Sequence, residues 1–310
     1  MLKKRTVFIL GAGASTPYGL PASLGLRDAI CDSIRRGEAY NDVARLFHPD
    51  VAGNLNGFAQ DLLDSGISID EWLGRNVQDK NYRYLGQFLI SRTLCRLENP
   101  TAFGTAYGQG KDWYGTLWRK LKPKTIEGLQ DLNAVFVTFN YDRSLEQALM
   151  TMARATFKGA AEKTYEECAM SIPIIHVHGQ LGRLPWQRNL DGSPSREYGP
   201  SDNAELVLQC GSKLHFIGDK AAEDVFEVAK AHLRKAEEIH FVGFGFHPTN
   251  LRRLHVDNLG THDIYGTSVG LGYRDCENLS KGTNVFGKQV NLHPERVETY
   301  IHNMVDGWDD

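Results

Sequence analysis

The sequence lacks the cysteine patterns that would assign it to several classes of protein. Its five cysteines are odd in number and never form a C-x-x-C pair; they are Cys31, Cys95, Cys168, Cys210 and Cys276. This spacing excludes a disulfide framework and a structural zinc ribbon, and it fits a reducing compartment. We therefore expect a cytoplasmic protein. No stretch approaches the roughly 18 apolar residues of a membrane-spanning helix, so we expect no membrane span.

An excess of charge of one sign is also missing. The chain has 35 lysines and arginines against 38 aspartates and glutamates, a formal net charge of -3. Proteins that hold nucleic acid by electrostatics normally carry a basic field, so direct nucleic-acid binding is not predicted. The 310 residues, 41% of them hydrophobic, suffice for one large or two modest globular domains.

Short apolar runs predict the strands of a parallel sheet. The first run, 6–10, leads directly into a glycine turn, and similar runs occupy 134–139, 172–177, 239–242 and 264–269. Near-continuous apolar runs of this length are typical of strands that are covered on both faces. We therefore predict an α/β fold with a Rossmann-like parallel sheet flanked by helices.

Helical periodicity surrounds these strands and dominates the segment between the first two of them. It predicts helices over 24–46, 58–63, 69–76, 82–97, 113–121, 221–236 and 294–304. The density of β-branched residues falls between the first two strands. We therefore assign 1–50 and 131–310 to the Rossmann-like domain and 51–130 to a helical insertion. The polar segment 187–203 is predicted to be a long loop.

The glycine turn after the first strand is the strongest candidate for a functional site. The glycines of Gly11-Ala12-Gly13-Ala14-Ser15 would let the backbone approach a pyrophosphate at a helix N-terminus. A third glycine of the dinucleotide fingerprint would stand at position 16, which is Thr16, so a dehydrogenase is only partly supported. From these residues alone, a structural turn and a phosphate cradle remain alternatives.

Polar residues follow the second and third long strands. Cleavage of a nicotinamide–ribose bond passes through an oxocarbenium-like state, which requires orientation, charge stabilisation and a base for water. Asn140 suits the orientation of a ribose hydroxyl or of the attacking water, and Asp142 suits hydrogen bonding or charge stabilisation. His178 is the candidate general base, since histidine titrates near neutral pH. Gly179 permits a sharp turn behind it, which favours His178 over His176. A hydrogen-bonded histidine at a strand end is the alternative.

Several of these motifs resemble elements of the sirtuin superfamily. The run over 11–21, G-A-G-A-S-x-x-x-G-L-P, resembles its nucleotide-binding loop. T-F-N-Y-D at 138–142 resembles its T-x-N-x-D element, and His178-Gly179 resembles its catalytic H-G element. F-V-G-F-G-F at 241–246 is similar to the glycine-bearing strand end that helps to hold the dinucleotide. The matches are spread over most of the chain, from 7 to 246.

The resemblance implies the residues of an NAD site. It places Asn140, His178 and Asp142 in the catalytic roles. The NAD-binding residues that it implies are Gly11, Ala12, Gly13, Ser15, Gly19, Pro21, Thr138, Gly243 and Gly245.

The sequence differs from sirtuin deacylases in two features. The zinc-binding C-x-x-C pairs of sirtuin deacylases are missing, and Pro21 is followed by Ala22-Ser23-Leu24 instead of an acidic-aromatic-arginine segment. What remains resembles the prokaryotic sirtuin-like NAD hydrolases of anti-phage defence, which implies NAD as the substrate, nicotinamide and ADP-ribose as products, and no metal. The same resemblance implies a homo-oligomer, with a hexameric DNA-translocating ATPase or a short Argonaute as candidate partner. Alternatives are an NAD- or ADP-ribose-binding sensor without turnover, and sirtuin-type protein deacylation or ADP-ribosyl transfer.

Three further groups of residues have both a functional and a structural interpretation. Asp70 and Glu71 would supply a carboxylate pair to the site, but Ser68 with Glu71 also forms a helix capping box. His247 would line the pocket or cap a turn. The aromatic cluster Trp113, Tyr114 and Trp118 has helical spacing, which is more typical of a core or an interface than of a stacking platform.

Overall fold

Two compact units make up the chain. The computed structural model describes residues 2–76, 79–121, 123–188, 192–217, 219, 222–259 and 262–306. Unit 1 lies within Met1–Tyr18, Thr101–Val177 and Ala222–Asp310, and unit 2 lies within Gly19–Pro100 and His178–Ala221. Of the predicted insertion, residues 51–100 belong to unit 2 and residues 101–130 to unit 1. The division into domains at 50 and 130 stays a prediction.

Unit 1 is built on a parallel sheet. Its strands are β1 (Thr6–Leu10), β2 (Ala134–Thr138), β3 (Ile174–His176), β4 (Glu238–Val242), β5 (Asp263–Thr267) and β6 (Asn291–His293). Within the described ranges these six strands pair in parallel in the order β3-β2-β1-β4-β5-β6. This is the strand order of the Rossmann fold, so the predicted fold class is confirmed.

The register of the strands brings their carboxyl ends to one edge of the sheet. Leu10 at the end of β1 pairs with Thr138 of β2 and with Val242 of β4. Thr138 also pairs with His176, the last residue of β3. The strand order reverses between β1 and β4, and ligands of open α/β sheets bind outside the carboxyl ends at such a switch point. The segments that follow these strands are therefore where a ligand is expected.

The helices surround the sheet in unit 1 and form most of unit 2. In chain order they are α1 (Ser23–Arg35), α2 (Tyr40–Leu46), α3 (Pro49–Gly53), α4 (Leu55–Asp64), α5 (Ile69–Arg75), α6 (Lys80–Leu97), α7 (Ala102–Gly108), α8 (Trp113–Leu121), α9 (Ser144–Thr156), α10 (Glu162–Ser171), α11 (Ala204–Gly211), α12 (Glu223–Arg234), α13 (Pro248–Arg253), α14 (Tyr273–Lys281) and α15 (Val297–Asp306). Unit 2 holds α1–α6 and α11, and unit 1 holds the others. None of the described helices combines the length and apolar composition needed to cross a membrane.

The core of unit 1 lies on both faces of the central strands. β1, β2 and β4 are buried along their whole length, because helices cover both faces of the sheet. Side chains such as Ile9 and Phe241 pack on one face with Phe226 of α12. On the other face the ring of Phe8 lies 5.4 Å from the rings of both Phe136 and His240. Burial of each such apolar side chain contributes about 1.5–3 kcal/mol.

Unit 2 joins its helices to the polar loop through a buried ion pair. α6 packs against α1, α5 and α11. Arg196 of the loop reaches Glu98, just after α6, with 2.7 Å between Nη2 and Oε2. The backbone N–H of Gly199 donates to the same carboxylate at 3.2 Å. The described part of the predicted loop, 187–188 and 192–203, contains no helix, and its one strand-like contact is an isolated bridge between Ser195 and Arg183.

Some predicted elements differ from the structure in their bounds. The helix predicted over 24–46 is two helices, because Gly37 adopts φ +73° between α1 and α2. The strand predicted over 172–177 is confined to β3, and it begins after Pro173, which has no N–H to donate to a ladder. A 3-10 helix, Ala12–Tyr18, follows β1 where a turn leading to an α-helix was predicted.

Candidate active site at the carboxyl edge of the sheet

The glycine turn after β1 lies directly against the turn after β4. The N–H of Gly11 donates to the oxygen of Val242, and that of Gly13 donates to the oxygen of Gly243, both at 3.0 Å. A Cβ on Gly11 or on Gly13 would lie 2.5 or 2.9 Å from the Gly243 oxygen. Gly243 has φ +58°, and a Cβ there would lie 2.2 Å from the Ala14 nitrogen. Packing between the two turns by itself therefore requires glycine at all three positions.

Asn140 fixes the glycine turn from the neighbouring strand. Its Nδ2 donates to the backbone oxygen of Gly11 at 2.9 Å and to Oγ of Ser15 at 3.0 Å. Its backbone N–H donates to Oγ1 of Thr138 at 3.0 Å. Because a carbonyl oxygen only accepts, the amide nitrogen must face Gly11, and the side-chain oxygen Oδ1 must point the other way.

Asp142 links the glycine turn to the start of α9. Its Oδ2 accepts a hydrogen bond of 2.8 Å from the hydroxyl of Ser15, and its Oδ1 accepts one of 3.0 Å from the backbone N–H of Ser144. The hydroxyl of Ser144 donates to the same Oδ1. Burial raises the pKa of Asp142, and the hydrogen bonds from Ser144 and Ser15 oppose that rise. Both oxygens are thus engaged inside the protein, as is the hydroxyl of Ser15, a residue that the resemblance assigns to the NAD site.

The aromatic residues of α8 support the 3-10 helix that follows the turn. Nε1 of Trp113 donates to the oxygen of Ala14 at 2.7 Å. The ring of Tyr18 stacks on that of Tyr114 with centroids 4.2 Å apart. The hydroxyl of Tyr114 also lies 2.8 Å from Oγ of Ser144. The predicted core role of this cluster is confirmed, and it has the further effect of holding the turn in place.

His176, which sequence reasoning set aside, contacts the backbone of Asn140. Its Nδ1 lies 2.9 Å from the Asn140 carbonyl oxygen, and its Nε2 lies 2.6 Å from Oε1 of Glu146 on α9. Burial lowers the pKa of His176, but the charge and hydrogen bond of Glu146 outweigh burial and the net direction is upward. The sequence signal that could have identified this role of His176 is Glu146, an acidic residue within the apolar face of the helix that follows Asn140.

The predicted catalytic histidine, His178, belongs to unit 2 and is buried there. The turn behind it is confirmed, since Gly179 has φ +83° and a Cβ on it would lie 2.2 Å from the backbone oxygen of Lys213. Gly19 and Pro21 also belong to unit 2. Gly19 is exposed with φ +84°, and Pro21 is half-buried just before α1. Their assignment to an NAD site stays a prediction.

The remaining predicted NAD-binding residues of unit 1 are Ala12 and Gly245. Ala12 is half-buried and begins the 3-10 helix. Gly245 is exposed, and no atom lies within 4 Å of where its Cβ would be. The packing of this part of the chain therefore does not require glycine at position 245.

The alternative capping roles are confirmed for two groups. The backbone N–H of Glu71 donates to Oγ of Ser68 at 3.3 Å, which caps α5, and the Glu71 carboxylate pairs with Arg75 at 2.5 Å. His247 caps α13, with its Nδ1 accepting from the N–H of Thr249 at 3.3 Å. Asp70 lies beside Glu71 in the first turn of α5.

No protein-family model matches the chain, and no curated protein matches it in sequence. Among solved structures it is similar to a Sir2 homologue in complex with NAD, at 15% identity and a TM-score of 0.39, over 98% of this chain and 90% of that one. A serine-to-alanine Sir2 homologue with ADP-ribose gives 14% identity and a TM-score of 0.38, over 98% and 92% of the chains. At these scores the superpositions decide neither family nor activity.

Proposed function

We propose that the chain binds NAD at the carboxyl edge of the sheet in unit 1 and hydrolyses it to nicotinamide and ADP-ribose. The observation that carries this proposal is the hydrogen bond of 2.9 Å from Asn140 to the backbone of Gly11. It fixes a side chain with a hydrogen-bonding oxygen to the glycine turn, at the switch point where α/β folds bind nucleotides. The sequence motifs shared with sirtuins support the same substrate.

The residues of unit 1 can be assigned roles in the proposed reaction. The glycine turn would lie beside the phosphates, because it follows β1 at the switch point of the sheet, where the backbone N–H groups of α/β folds hold phosphate. Oδ1 of Asn140, which points away from Gly11, would orient a ribose hydroxyl or the attacking water. The donors run in one direction, from Asn140 to Ser15 and from Ser15 to Asp142. These hydrogen bonds hold the Asn140 amide in a single orientation before the substrate binds. Such preorganisation lowers the activation barrier of a reaction. His178 is assigned as general base by its motif alone.

The test is the release of nicotinamide and ADP-ribose from NAD by the purified chain, followed by chromatography. Asn140→Ala and His178→Ala are expected to abolish release, with the mass in size-exclusion chromatography unchanged. Tyr273→Ser is the control, because Tyr273 is 81% exposed and is not one of the predicted site residues. Full release by either of the first two variants would contradict the proposed roles. Acetylated ADP-ribose or labelled protein as product would indicate a deacylase or a transferase.

A second candidate is a sensor module that binds NAD or ADP-ribose without turnover. The observation that favours it is the engagement of Asp142 by Ser15 and Ser144, which ties the carboxylate to the fold. Titration calorimetry with NAD, followed by analysis of the recovered nucleotide, separates the two functions. Tight binding with NAD recovered intact, both alone and with candidate partners present, would replace the hydrolase by the sensor.

We extend the proposal to anti-phage defence on the resemblance described above. In this role the chain would deplete NAD in infected cells, as a homo-oligomer, with a hexameric DNA-translocating ATPase or a short Argonaute as partner. Bacteria that carry the wild-type chain with a candidate partner are expected to lose NAD and to resist infection. The Asn140→Ala chain should do neither. Resistance that persists with Asn140→Ala at unchanged NAD would contradict this role.

A further inference from the structure

His176 occupies a position between a backbone oxygen and a carboxylate in unit 1. Nδ1 lies 2.9 Å from the Asn140 oxygen, and Nε2 lies 2.6 Å from Oε1 of Glu146. The two side chains are 8% and 2% exposed, so water hardly competes for these contacts. Glu146 lies in the first turn of α9, on its buried face.

The alternation of the strand explains why His176 faces α9. Ile175, the preceding residue, packs against the apolar cluster that contains Phe226 and Ala229 of α12. Successive side chains of a strand point to opposite faces, so His176 points away from α12. The charged groups that act on the imidazole are Glu146 of α9 and Asp142 of the segment after β2.

Both neighbours of the imidazole accept hydrogen bonds. The Asn140 carbonyl only accepts, so Nδ1 must carry a proton. The Glu146 carboxylate also accepts, so Nε2 must carry one as well when Glu146 is ionised. Two protonated ring nitrogens make an imidazolium, which forms charge-assisted hydrogen bonds of greater strength than neutral ones.

We propose that His176, held by Glu146, is the positioning residue for Asn140. The pair fixes the backbone of Asn140, while Nδ2 fixes its side chain on Gly11. Oδ1 is thereby held in place from two sides. This inference rests on the proposed function, because Asn140 is the residue through which His176 would act on NAD.

The first test is independent of turnover. In nitrogen-15 NMR spectra at pH 7, both ring nitrogens of His176, identified by their loss in His176→Gln, are expected to show protonated shifts. The titration midpoint should lie above about 6.5, the ordinary histidine pKa. In Glu146→Gln, which keeps the shape and removes the charge, the midpoint should fall. An unprotonated Nδ1 at pH 7, or a midpoint that Glu146→Gln leaves unchanged, would overturn the pair.

The second test separates positioning from support of the fold. Asparagine at 176 keeps an N–H near the place of Nδ1, and glutamine keeps one near the place of Nε2. His176→Asn should therefore retain kcat for nicotinamide release within a few-fold. His176→Gln should lower kcat by about a hundredfold, the typical cost of a misplacement of about 1 Å, with KM little changed. Thermal unfolding midpoints are recorded for both variants.

The outcomes distinguish this inference from the proposed function. If His176→Asn and His176→Gln lose kcat equally and lose stability to the same extent, His176 has only a structural role. If both variants keep the wild-type kcat, His176 has no role in positioning Asn140. If the wild-type chain releases no nicotinamide under any condition, the proposed function fails and the positioning role in catalysis fails with it. The NMR titration then decides separately whether the His176–Glu146 pair holds the Asn140 backbone as described.

Discussion

Nδ2 of Asn140 donates a hydrogen bond of 2.9 Å to the backbone oxygen of Gly11, across the boundary between two neighbouring strands. The register of β1 and β2 makes this contact possible, because Leu10 and Thr138 pair at the ends of the two strands. Through this contact an asparagine distant in sequence holds the glycine turn in place. The stability of the turn and its binding of nucleotide should therefore depend on the N–H donor at position 140.

The first prediction concerns the loss of that donor. Asn140→Asp places a carboxylate oxygen against the Gly11 oxygen, while Asn140→Ala only removes the donor. We expect both variants to lower the free energy of unfolding in urea, by about 1–3 kcal/mol for the aspartate and by less for the alanine. A wild-type free energy of unfolding in Asn140→Asp would contradict the assigned orientation of the amide.

The second prediction compares two glycines of the predicted NAD site. Gly243→Ala forces a side chain into a conformation with φ +58° and against Ala14, whereas Gly245→Ala meets open space. We expect the first to lower the free energy of unfolding by at least about 1–2 kcal/mol, the cost of left-handed backbone, and to weaken the binding of ADP-ribose. The second should leave stability unchanged. Urea unfolding and titration calorimetry measure both effects, and a stable Gly243→Ala chain with normal affinity would contradict the described packing.

A third prediction tests the support that α8 provides. Trp113→Phe removes the N–H that donates to Ala14 at 2.7 Å and leaves that buried oxygen without this partner. We expect lower affinity for NAD together with a loss of about 1–3 kcal/mol of stability. Trp118→Phe is the matched control, because Nε1 of Trp118 donates to Thr156 at 3.1 Å instead of to the 3-10 helix. Its affinity for NAD should stay at the wild-type value, and equal losses of affinity in the two variants would refute a specific role of Trp113.

A fourth prediction concerns acid. His240 is fully buried on β4, with its Nδ1 2.7 Å from the hydroxyl of Tyr300, and burial lowers its pKa despite the nearby Glu238. The unfolded chain then binds more protons than the native chain as the pH falls below the ordinary histidine value of about 6.5, so the free energy of unfolding decreases. The stability that neutral, buried His240 contributes is present above a pH of about 6.5 and is lost progressively below it.

The check on this fourth prediction is the slope of stability against pH. His240→Asn keeps a hydrogen-bonding group near the place of Nδ1 but does not titrate. Between pH 7 and 5, its free energy of unfolding should fall less steeply than that of the wild-type chain. Equal slopes for the two chains would show that His240 is as easily protonated in the native as in the unfolded state.

Local patterns predicted the elements whose signals lie within a few residues. The apolar runs at β1, β2 and β4 are long enough to identify strands that are buried on both faces, and the Ser68 box identified the start of α5. β6 is three residues long, exposed or half-buried, and therefore carries no such run. Its place in the sheet depends on pairing with β5, which a local pattern does not contain.

The side-chain roles at the site were only partly predictable. Asn140 lies just after β2, as the sequence indicated, but its bond to Gly11 depends on a contact between positions 129 residues apart. The hydroxyl of Ser15, a residue that the resemblance assigns to the NAD site, joins Asn140 to Asp142, and this contact has no local sequence signal. His176 was set aside because Gly179 favoured His178, and its contact with Glu146, 30 residues earlier in the chain, depends on the tertiary structure.

The sequence by itself determined the α/β class, the strands of the sheet centre and the positions of the glycine turns, because hydrophobic period and backbone freedom are local properties of the chain. Only the tertiary structure decided which polar groups meet at the edge of the sheet. Hydrogen bonds form between groups that the parallel register brings within about 3 Å, and that register is set by packing among strands distant in sequence. The Asn140–Gly11 bond and the His176–Glu146 pair are the two results of that packing on which the proposed chemistry depends.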